Sequence, residues 1–192
     1  CYRLAQMHFK KDFEMADTAT GMRLMNKAAE LGNCEALYFL AQAYLKGNMV
    51  QANVSKAFYY CQKAAALNHI KATTLLGQMF LEGRGCDRNT VMAFDLFSTS
   101  ANMGDYKAQY ELALLFKNGD GVQQSFIDAY VWSVLALTGG DKIGLEASSL
   151  RDDVVLELTL SQLKEAQYIA SERLMHIKPP KYKNDHFQSV MK

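Results

Sequence analysis

Apolar side chains recur along the chain in a pattern that repeats every 36 residues between Cys34 and Asp141. Counted from the first residue of each copy, the seventh position holds Leu40, Leu76 and Leu112, the eighth Ala41, Gly77 and Ala113, and the eleventh Tyr44, Phe80 and Phe116. Positions one and four residues apart lie on one face of an α-helix. The pattern therefore predicts three consecutive copies, 34–69, 70–105 and 106–141, each opening with a helix that packs on its neighbours.

Glycine and capping residues divide each copy into two helices. The fourteenth position is glycine in every copy, and the twentieth holds Asn53, Asn89 and Ser125. Glycine commonly ends a helix in the left-handed conformation, and Asn and Ser cap helix N-termini. A second apolar stripe follows, with alanine at 57, 93 and 129, and it stops at Asn68, Gly104 and Gly140. Each copy is therefore predicted to be a helix, a short glycine loop and a second helix.

The flanks of this region keep a weaker form of the pattern. Residues 1–33 are in register with the copies, because Leu4 and Ala5 match the seventh and eighth positions. They are predicted to be a degenerate first repeat in which residues 10–16 replace the glycine loop. After residue 141 the match fails, but a stripe at 143, 147, 150, 154 and 158 and a capping box from Thr159 to Gln162 predict a C-terminal capping helix pair over 142–177.

The outward side of this last pair is predicted to be polar, as a terminal repeat requires. The residues assigned to it are Arg151, Asp152, Lys164, Glu165 and Glu172. The tail, 178–192, has no helical period and contains both prolines. Tyr182 and Phe187 are predicted to dock on the body of the protein or on another chain.

The stretch from Ala72 to Gly85, together with the Lys-Ala-Ala run that begins at Lys63, resembles the Sel1-like repeat, a relative of the tetratricopeptide repeat. The resemblance implies an all-α fold, a right-handed α-solenoid (α/α superhelix) of helix-turn-helix repeats. It also implies a protein-binding adaptor, with no activity common to the family. The chain departs from the family pattern in lacking a proline before the second helices, and in having Met49 where a second loop glycine is typical.

In the related tetratricopeptide fold, the second, fifth, ninth and twelfth positions of each first helix line a concave groove that binds a partner. The resemblance carries this role to Tyr2, Gln6, Phe9, Glu35, Tyr38, Gln42, Leu45, Lys71, Thr74, Gln78, Leu81, Lys107, Tyr110, Leu114 and Lys117. Tyrosines supply rigid contact area, and glutamines can hydrogen-bond a peptide backbone. The alternative is that Tyr38 and Tyr110 only close adjacent repeats against each other.

Composition and charge exclude several functional classes. Lysine and arginine number 21 against 20 acidic residues, and this balance argues against nucleic acid as a partner. No apolar run is long enough for a membrane span. Histidines 8, 69, 176 and 186 do not have metal-ligand spacing, so no metal or cofactor is predicted. The partner is expected to be a protein or peptide, and the oligomeric state is left open.

The cysteines bear on the compartment. Cys1, Cys34, Cys61 and Cys86 fall at unrelated repeat positions, which predicts small buried thiols rather than a disulfide framework. Because the chain begins at Cys1, it is interpreted as a fragment or a processed chain, with the lipid-modified N-terminus of a bacterial lipoprotein as the alternative. The compartment stays open between a soluble cytoplasmic location and the bacterial envelope, that is, the periplasm with or without a lipid anchor at Cys1.

One short motif suggests catalysis. Ser161 and Lys164 match the serine-x-x-lysine motif of penicillin-recognising enzymes, but the partner motifs Ser-Asp-Asn and Lys-Thr-Gly do not occur in the sequence. The predicted function is therefore a non-enzymatic interaction scaffold, an adaptor or a sequestering inhibitor. The alternatives are a hydrolase of cell-wall or β-lactam substrates and a purely structural segment of a larger chain.

Overall fold

The computed structural model describes residues 1–9 and 17–176, and this part of the chain is helical throughout. Its helices are α1 (Tyr2–His8), α2 (Thr18–Glu30), α3 (Cys34–Lys46), α4 (Val54–Ala66), α5 (Ile70–Glu82), α6 (Thr90–Asn102), α7 (Tyr106–Asn118), α8 (Phe126–Ala136), α9 (Asp141–Val155) and α10 (Leu160–His176). The predicted loop 10–16 and the tail with Tyr182 and Phe187 lie outside the described residues.

The described helices belong to two compact units. Of the described residues, the first contains 1–9, 17–72 and 84–86, and the second contains 73–83 and 87–176. Helix α3 packs on α2 and α4 within the first unit. In the second unit, α7 packs on α6, α8 and α9, and α8 also packs on α9 and α10.

The helix boundaries follow from the capping residues that the sequence singles out. The side chains of Asn53, Asn89 and Ser125 accept hydrogen bonds from backbone N–H groups three residues later, at 2.9, 2.9 and 3.2 Å. Gly47 and Gly119 end α3 and α7 in the left-handed conformation, with φ of 72° and 76°. These predicted caps are confirmed.

A second glycine in the loop fits against the preceding repeat. A Cβ atom added to Gly85 would lie 2.9 Å from the Val54 carbonyl oxygen, and one added to Gly121 would lie 2.5 Å from the Thr90 carbonyl oxygen. Both glycines have positive φ, at 81° and 72°. Met49 holds the equivalent place in the first loop with a φ of 66°. This backbone conformation is strained for a residue that has a side chain.

The core of the first unit is built from alanines and a few large side chains. Ala36, Leu40 and Ala41 of α3 are fully buried, and Ala57, Cys61 and Ala64 of α4 share that burial. At the end of α1, the Phe9 ring stacks on Phe39 with ring centroids 5.2 Å apart. Alanine on the packed faces lets the helix backbones approach closely.

The core of the second unit is centred on α6, α7 and α8. Phe97 and Leu112 are buried within it, and Trp132 is also buried. The Arg173 guanidinium of α10 lies 4.9 Å from the centre of the Trp132 ring, which attaches the last helix to α8. Trp132 is therefore a packing residue.

The terminal helices differ from prediction on their outward side. The inward residues Ala147, Leu150 and Val154 are buried, and so are Ala166 and Ala170. Leu174 of α10 is 44% exposed, and large apolar residues also stand in solvent at Leu145 (73%), Leu156 (84%) and Leu160 (71%). The polar residues assigned to the outward side do reach solvent, since Asp152, Lys164, Glu165 and Glu172 are exposed and Arg151 is partly exposed, but these leucines are exposed as well.

Candidate partner-binding surface

The residues predicted to face a partner are called here the first-helix surface. In the second unit its residues lie on α5 and α7, and polar side chains from the two helices meet. Gln78 Nε2 donates to Glu111 Oε1 at 2.8 Å, and Lys107 Nζ donates to Gln78 Oε1 at 3.0 Å. The second position of one repeat thus contacts the ninth position of the repeat before it, and these side chains form one continuous surface.

Charge and burial are combined around Tyr110. Burial raises the pKa of the Tyr110 hydroxyl, and the carboxylates of Glu146 and Glu111 raise it further. Burial also raises the pKa of Glu111, against the hydrogen bond from Gln78 and the charge of Lys107, which lower it. The half-buried Tyr110 ring therefore lies near two carboxylates, of which that of Glu111 is partly withdrawn from water.

The remaining residues of this surface in the second unit are apolar or paired. Leu81 and Leu114 are partly buried against the hydrophobic core. Lys117 Nζ lies 3.0 Å from Asp153 Oδ2. An exposed pair of this kind contributes little to stability.

In the first unit, Tyr38 makes contacts within its own unit. Its ring stacks on the His69 ring at 4.6 Å between centroids, and its hydroxyl accepts a hydrogen bond from Gln42 Nε2 at 2.9 Å. His69 Nε2 in turn lies 3.3 Å from Glu35 Oε2. The fifth, ninth and second positions are therefore brought together here as well, but partly through His69, the last residue of the same repeat.

Two predicted residues cannot contact a partner in this structure. Phe9 is 9% exposed, because its ring stacks on Phe39 and fills the space beside Gly21. Thr74 is 3% exposed, inside the second unit. The assignment of these two residues to an exposed surface is wrong. Tyr2, Gln6, Leu45 and Lys71 are each partly exposed.

Sequence reasoning missed two residues that shape this surface. His69 Nδ1 accepts a hydrogen bond from the Ala72 N–H at 3.1 Å, so His69 caps α5 as Asn33 and Asp105 cap α3 and α7. The signal was available, because the three residues share the last position of their repeats. Glu111, which accepts from Gln78, lies at the sixth position, which was not considered.

Comparison with known proteins assigns these helical repeats to a family. The model described as the Sel1 repeat matches residues 1–33, 34–69, 70–105 and 107–141. The chain belongs to the Sel1 repeat family. Sel1 repeat proteins are generally non-catalytic scaffolds for protein interaction.

Solved structures of Sel1-like repeat proteins have the same fold. A Sel1 repeat protein from Oxalobacter formigenes is 26% identical with a TM-score of 0.60, over 67% of this chain and 95% of that protein. The c5321 protein, a protective antigen of uropathogenic Escherichia coli, is 21% identical with a TM-score of 0.62, over 91% of this chain and 45% of that protein. Helicobacter pylori cysteine-rich protein B is 20% identical with a TM-score of 0.52, over 73% of this chain and 99% of that protein.

These neighbours confirm the predicted all-α solenoid of Sel1-like repeats. They are bacterial, which is consistent with the expectation from sequence. A search of curated protein sequences gave no significant match. Among the described residues, no helix combines the length and apolar character that crossing a membrane would need.

Proposed function

We propose that this Sel1 repeat protein is a non-enzymatic scaffold that binds a segment of a partner protein on its first-helix surface, with Tyr110 as the principal anchor. The observation that supports the proposal most directly is the network from Lys107 through Gln78 to Glu111, which joins α5 and α7 beside Tyr110. An aromatic ring next to polar groups with spare hydrogen-bonding capacity suits recognition of a peptide.

Tyr110 is a cleaner anchor than Tyr38. The Tyr38 ring is held by stacking on His69, so truncating it would also disturb packing in the first unit. The pKa of Tyr110 is raised mainly by burial, and the carboxylates that act on it belong to residues of α7 and α9 that line the same region. Binding at Tyr110 would add apolar contact to a ring that is already partly desolvated.

The test begins by capturing partners with the full chain and measuring the affinity of the captured protein by calorimetry. Tyr110→Ala is expected to weaken binding by on the order of 2 kcal/mol, the usual loss for an aromatic anchor, while circular dichroism stays unchanged. Tyr168→Ala is the matched control, because Tyr168 is 67% exposed on α10, outside this surface. Equal losses in the two variants, or a loss of helicity in Tyr110→Ala, would count against the proposal.

The same measurement separates an adaptor from a sequestering inhibitor. An inhibitor blocks the partner's own activity at a one-to-one ratio, and Tyr110→Ala should relieve that block. An adaptor leaves the partner's activity unchanged.

The hydrolase alternative gains no support from Ser161. Its side chain is exposed in the first turn of α10, within the capping box in which Gln162 N–H donates to Thr159 Oγ1 at 3.3 Å. Serine needs an adjacent base to act as a nucleophile, and in the described part of the chain Ser161 makes no hydrogen bond to Lys164. A nitrocefin assay with a Ser161→Ala control tests this directly; turnover that the substitution abolishes would establish the alternative.

A further inference from the structure

A second group of exposed side chains gathers on the first unit, on residues that the first-helix surface does not use. Tyr44 and Tyr60 stack in parallel with ring centroids 5.7 Å apart, and Tyr59 meets Tyr60 edge-on at 5.3 Å. Lys56 Nζ lies 5.3 Å from the centre of the Tyr44 ring, and Lys63 Nζ lies 4.6 Å from that of Tyr59. These five residues are called here the tyrosine–lysine patch.

The patch borders a cavity. A depression of about 390 Å³ lies between the loop after α3 and the start of α4, lined by Tyr44, Lys56 and residues 50–53. Three of these loop residues, Gln51, Ala52 and Asn53, are exposed, so the depression opens to solvent beside the aromatic rings. Its volume falls within the range of small-ligand pockets and is enough for a few side chains of another molecule.

The polar ends of the patch have no protein partner among the described residues. The hydroxyls of Tyr44, Tyr59 and Tyr60 make no hydrogen bond there, and the ammonium groups of Lys56 and Lys63 make no ion pair there. By contrast, Lys107 and Lys117 of the second unit are bonded to Gln78 and Asp153.

The other repeats show that helix packing does not require these groups. In the next two repeats, Phe80 and Phe116 stand at the position of Tyr44, and Met92 and Asp128 at that of Lys56. Leu96 and Trp132 stand at the position of Tyr60, and Thr99 and Leu135 at that of Lys63. An aromatic ring at the first of these positions is a packing requirement, but its hydroxyl is not. The hydroxyls and the charge of Lys56 are therefore additions specific to this repeat, whereas a lysine also stands at the Lys63 position of the first repeat, as Lys27.

The patch is suited to negative charge. Helix α4 carries Lys56 and Lys63 and no acidic residue. Seven residues of α-helix bring side chains back to the same face about 10.5 Å along the axis. Burial and then the neighbouring tyrosines raise the pKa of Tyr60; the Glu30 carboxylate of α2 raises it further, and the charge of Lys63 lowers it.

We propose that the tyrosine–lysine patch binds an acidic segment of a protein partner. Carboxylates of that segment pair with Lys56 and Lys63, the tyrosine hydroxyls donate to carboxylate or carbonyl oxygens, and the stacked rings supply apolar contact. This surface is independent of the one around Tyr110, so either can fail without the other.

The test measures binding of fluorescein-labelled decaglutamate to the full chain by fluorescence anisotropy, with decaglutamine and decalysine as comparison peptides. The double variant Lys56→Gln/Lys63→Gln removes both charges. Tyr44→Phe/Tyr60→Phe removes two hydroxyls but keeps the rings, as Phe80 and Phe116 do elsewhere. Lys164→Gln/Tyr168→Phe on α10 is the matched control, since both residues are exposed there.

Decaglutamate is expected to bind more tightly than decaglutamine, and increasingly weakly as salt is raised. The lysine variant should lose at least about fivefold in affinity, the tyrosine variant a smaller amount, and the control less than about twofold. Equal binding of decaglutamate and decaglutamine would overturn the proposal, and so would equal losses in the lysine variant and the control. Complete displacement by inorganic phosphate at constant ionic strength would also overturn it, because the patch would then be a general anion site.

Discussion

At Gly77, the absence of a side chain decides how closely α5 and α6 approach within the second unit. A Cβ atom there would lie 2.8 Å from Cε1 of Phe97, which is fully buried. Gly77→Ala is therefore expected to lower the free energy of unfolding by roughly 1–3 kcal/mol, as overpacking does. Urea denaturation checks the value. Gly77→Ala combined with Phe97→Leu should recover part of the loss, and no recovery would mean that the contact with Phe97 is not its cause.

Met49 presents the opposite case, a side chain where the backbone favours none. Its φ is 66° and it is 44% exposed, so the strain of its left-handed backbone is not offset by full burial of its side chain. Met49→Gly is expected to stabilise the protein by about 1 kcal/mol. Thermal unfolding should show a higher midpoint. Asn68→Gly is the control with a smaller expected gain, since asparagine tolerates a φ of 58° better than methionine tolerates 66°.

Cys61 makes stability depend on alkaline pH. Burial raises the pKa of its thiol from 9.0 to about 12. Above pH 9 the unfolded chain loses this proton while the folded protein keeps it, so stability falls as pH rises, by up to about 1.4 kcal/mol per pH unit. Denaturation between about pH 9 and 10.5 should show a shallower decline for Cys61→Ala than for the unsubstituted chain. Parallel declines would mean that the thiol ionises equally in both states.

At the scale of the helix, capping residues explain why the boundaries were predictable and where prediction failed. Asn53 and Asn89 are common capping types, so their helices could be placed from sequence. His69 was not recognised, because histidine is not a usual cap, yet its ring nitrogen accepts from the Ala72 N–H. The tyrosine–lysine patch could not be predicted for a related reason, because a repeat pattern marks positions that recur and the hydroxyls of Tyr44 and Tyr60 do not recur in the next two repeats.

The two roles of His69 can be separated by substitution. His69→Ala removes the cap of α5 and the stacking on Tyr38, and is expected to cost about 1–2 kcal/mol of unfolding free energy. His69→Asn restores a capping oxygen of the kind that Asn33 supplies to α3, and should recover about half of that cost. Circular dichroism during urea unfolding gives both values. If the asparagine variant is as unstable as the alanine variant, stacking rather than capping is what His69 contributes.

At the scale of the molecule, the family and the solenoid class could be inferred from sequence because the period recurs over most of the chain. The side chains that face a partner could not be inferred as reliably. Phe9 and Thr74 occupy predicted positions but are buried, because local contacts rather than the repeat pattern decide which side chains reach solvent. The exposed leucines of α9 and α10 were missed likewise, since periodicity marks the buried side of a helix and says little about the opposite one.

The division into two compact units predicts where the effect of a core defect is confined. Met25 in the first unit and Leu135 in the second are both buried, at 0% and 2% exposure. Met25→Ala and Leu135→Ala should each lower the free energy of unfolding by about 2–5 kcal/mol. Because repeats depend mainly on near neighbours, Met25→Ala should accelerate hydrogen exchange chiefly in α2 to α4, and Leu135→Ala chiefly in α6 to α10. Mass spectrometry of exchanged peptides checks this, and uniform acceleration by both variants would show one cooperative body.

Gly85 lies close to the Val54 carbonyl, and Gly121 lies close to the Thr90 carbonyl. These contacts limit how the gene can gain or lose whole repeats. The repeat 70–105 carries the glycine for its upstream neighbour, at Gly85, and the carbonyl for its downstream neighbour, at Thr90. A duplication or deletion whose two breakpoints fall at the same place in two blocks regenerates an intact contact at the new junction. Breakpoints that are out of phase by even one codon do not, so in-phase recombination of whole blocks is the route by which this architecture can change length.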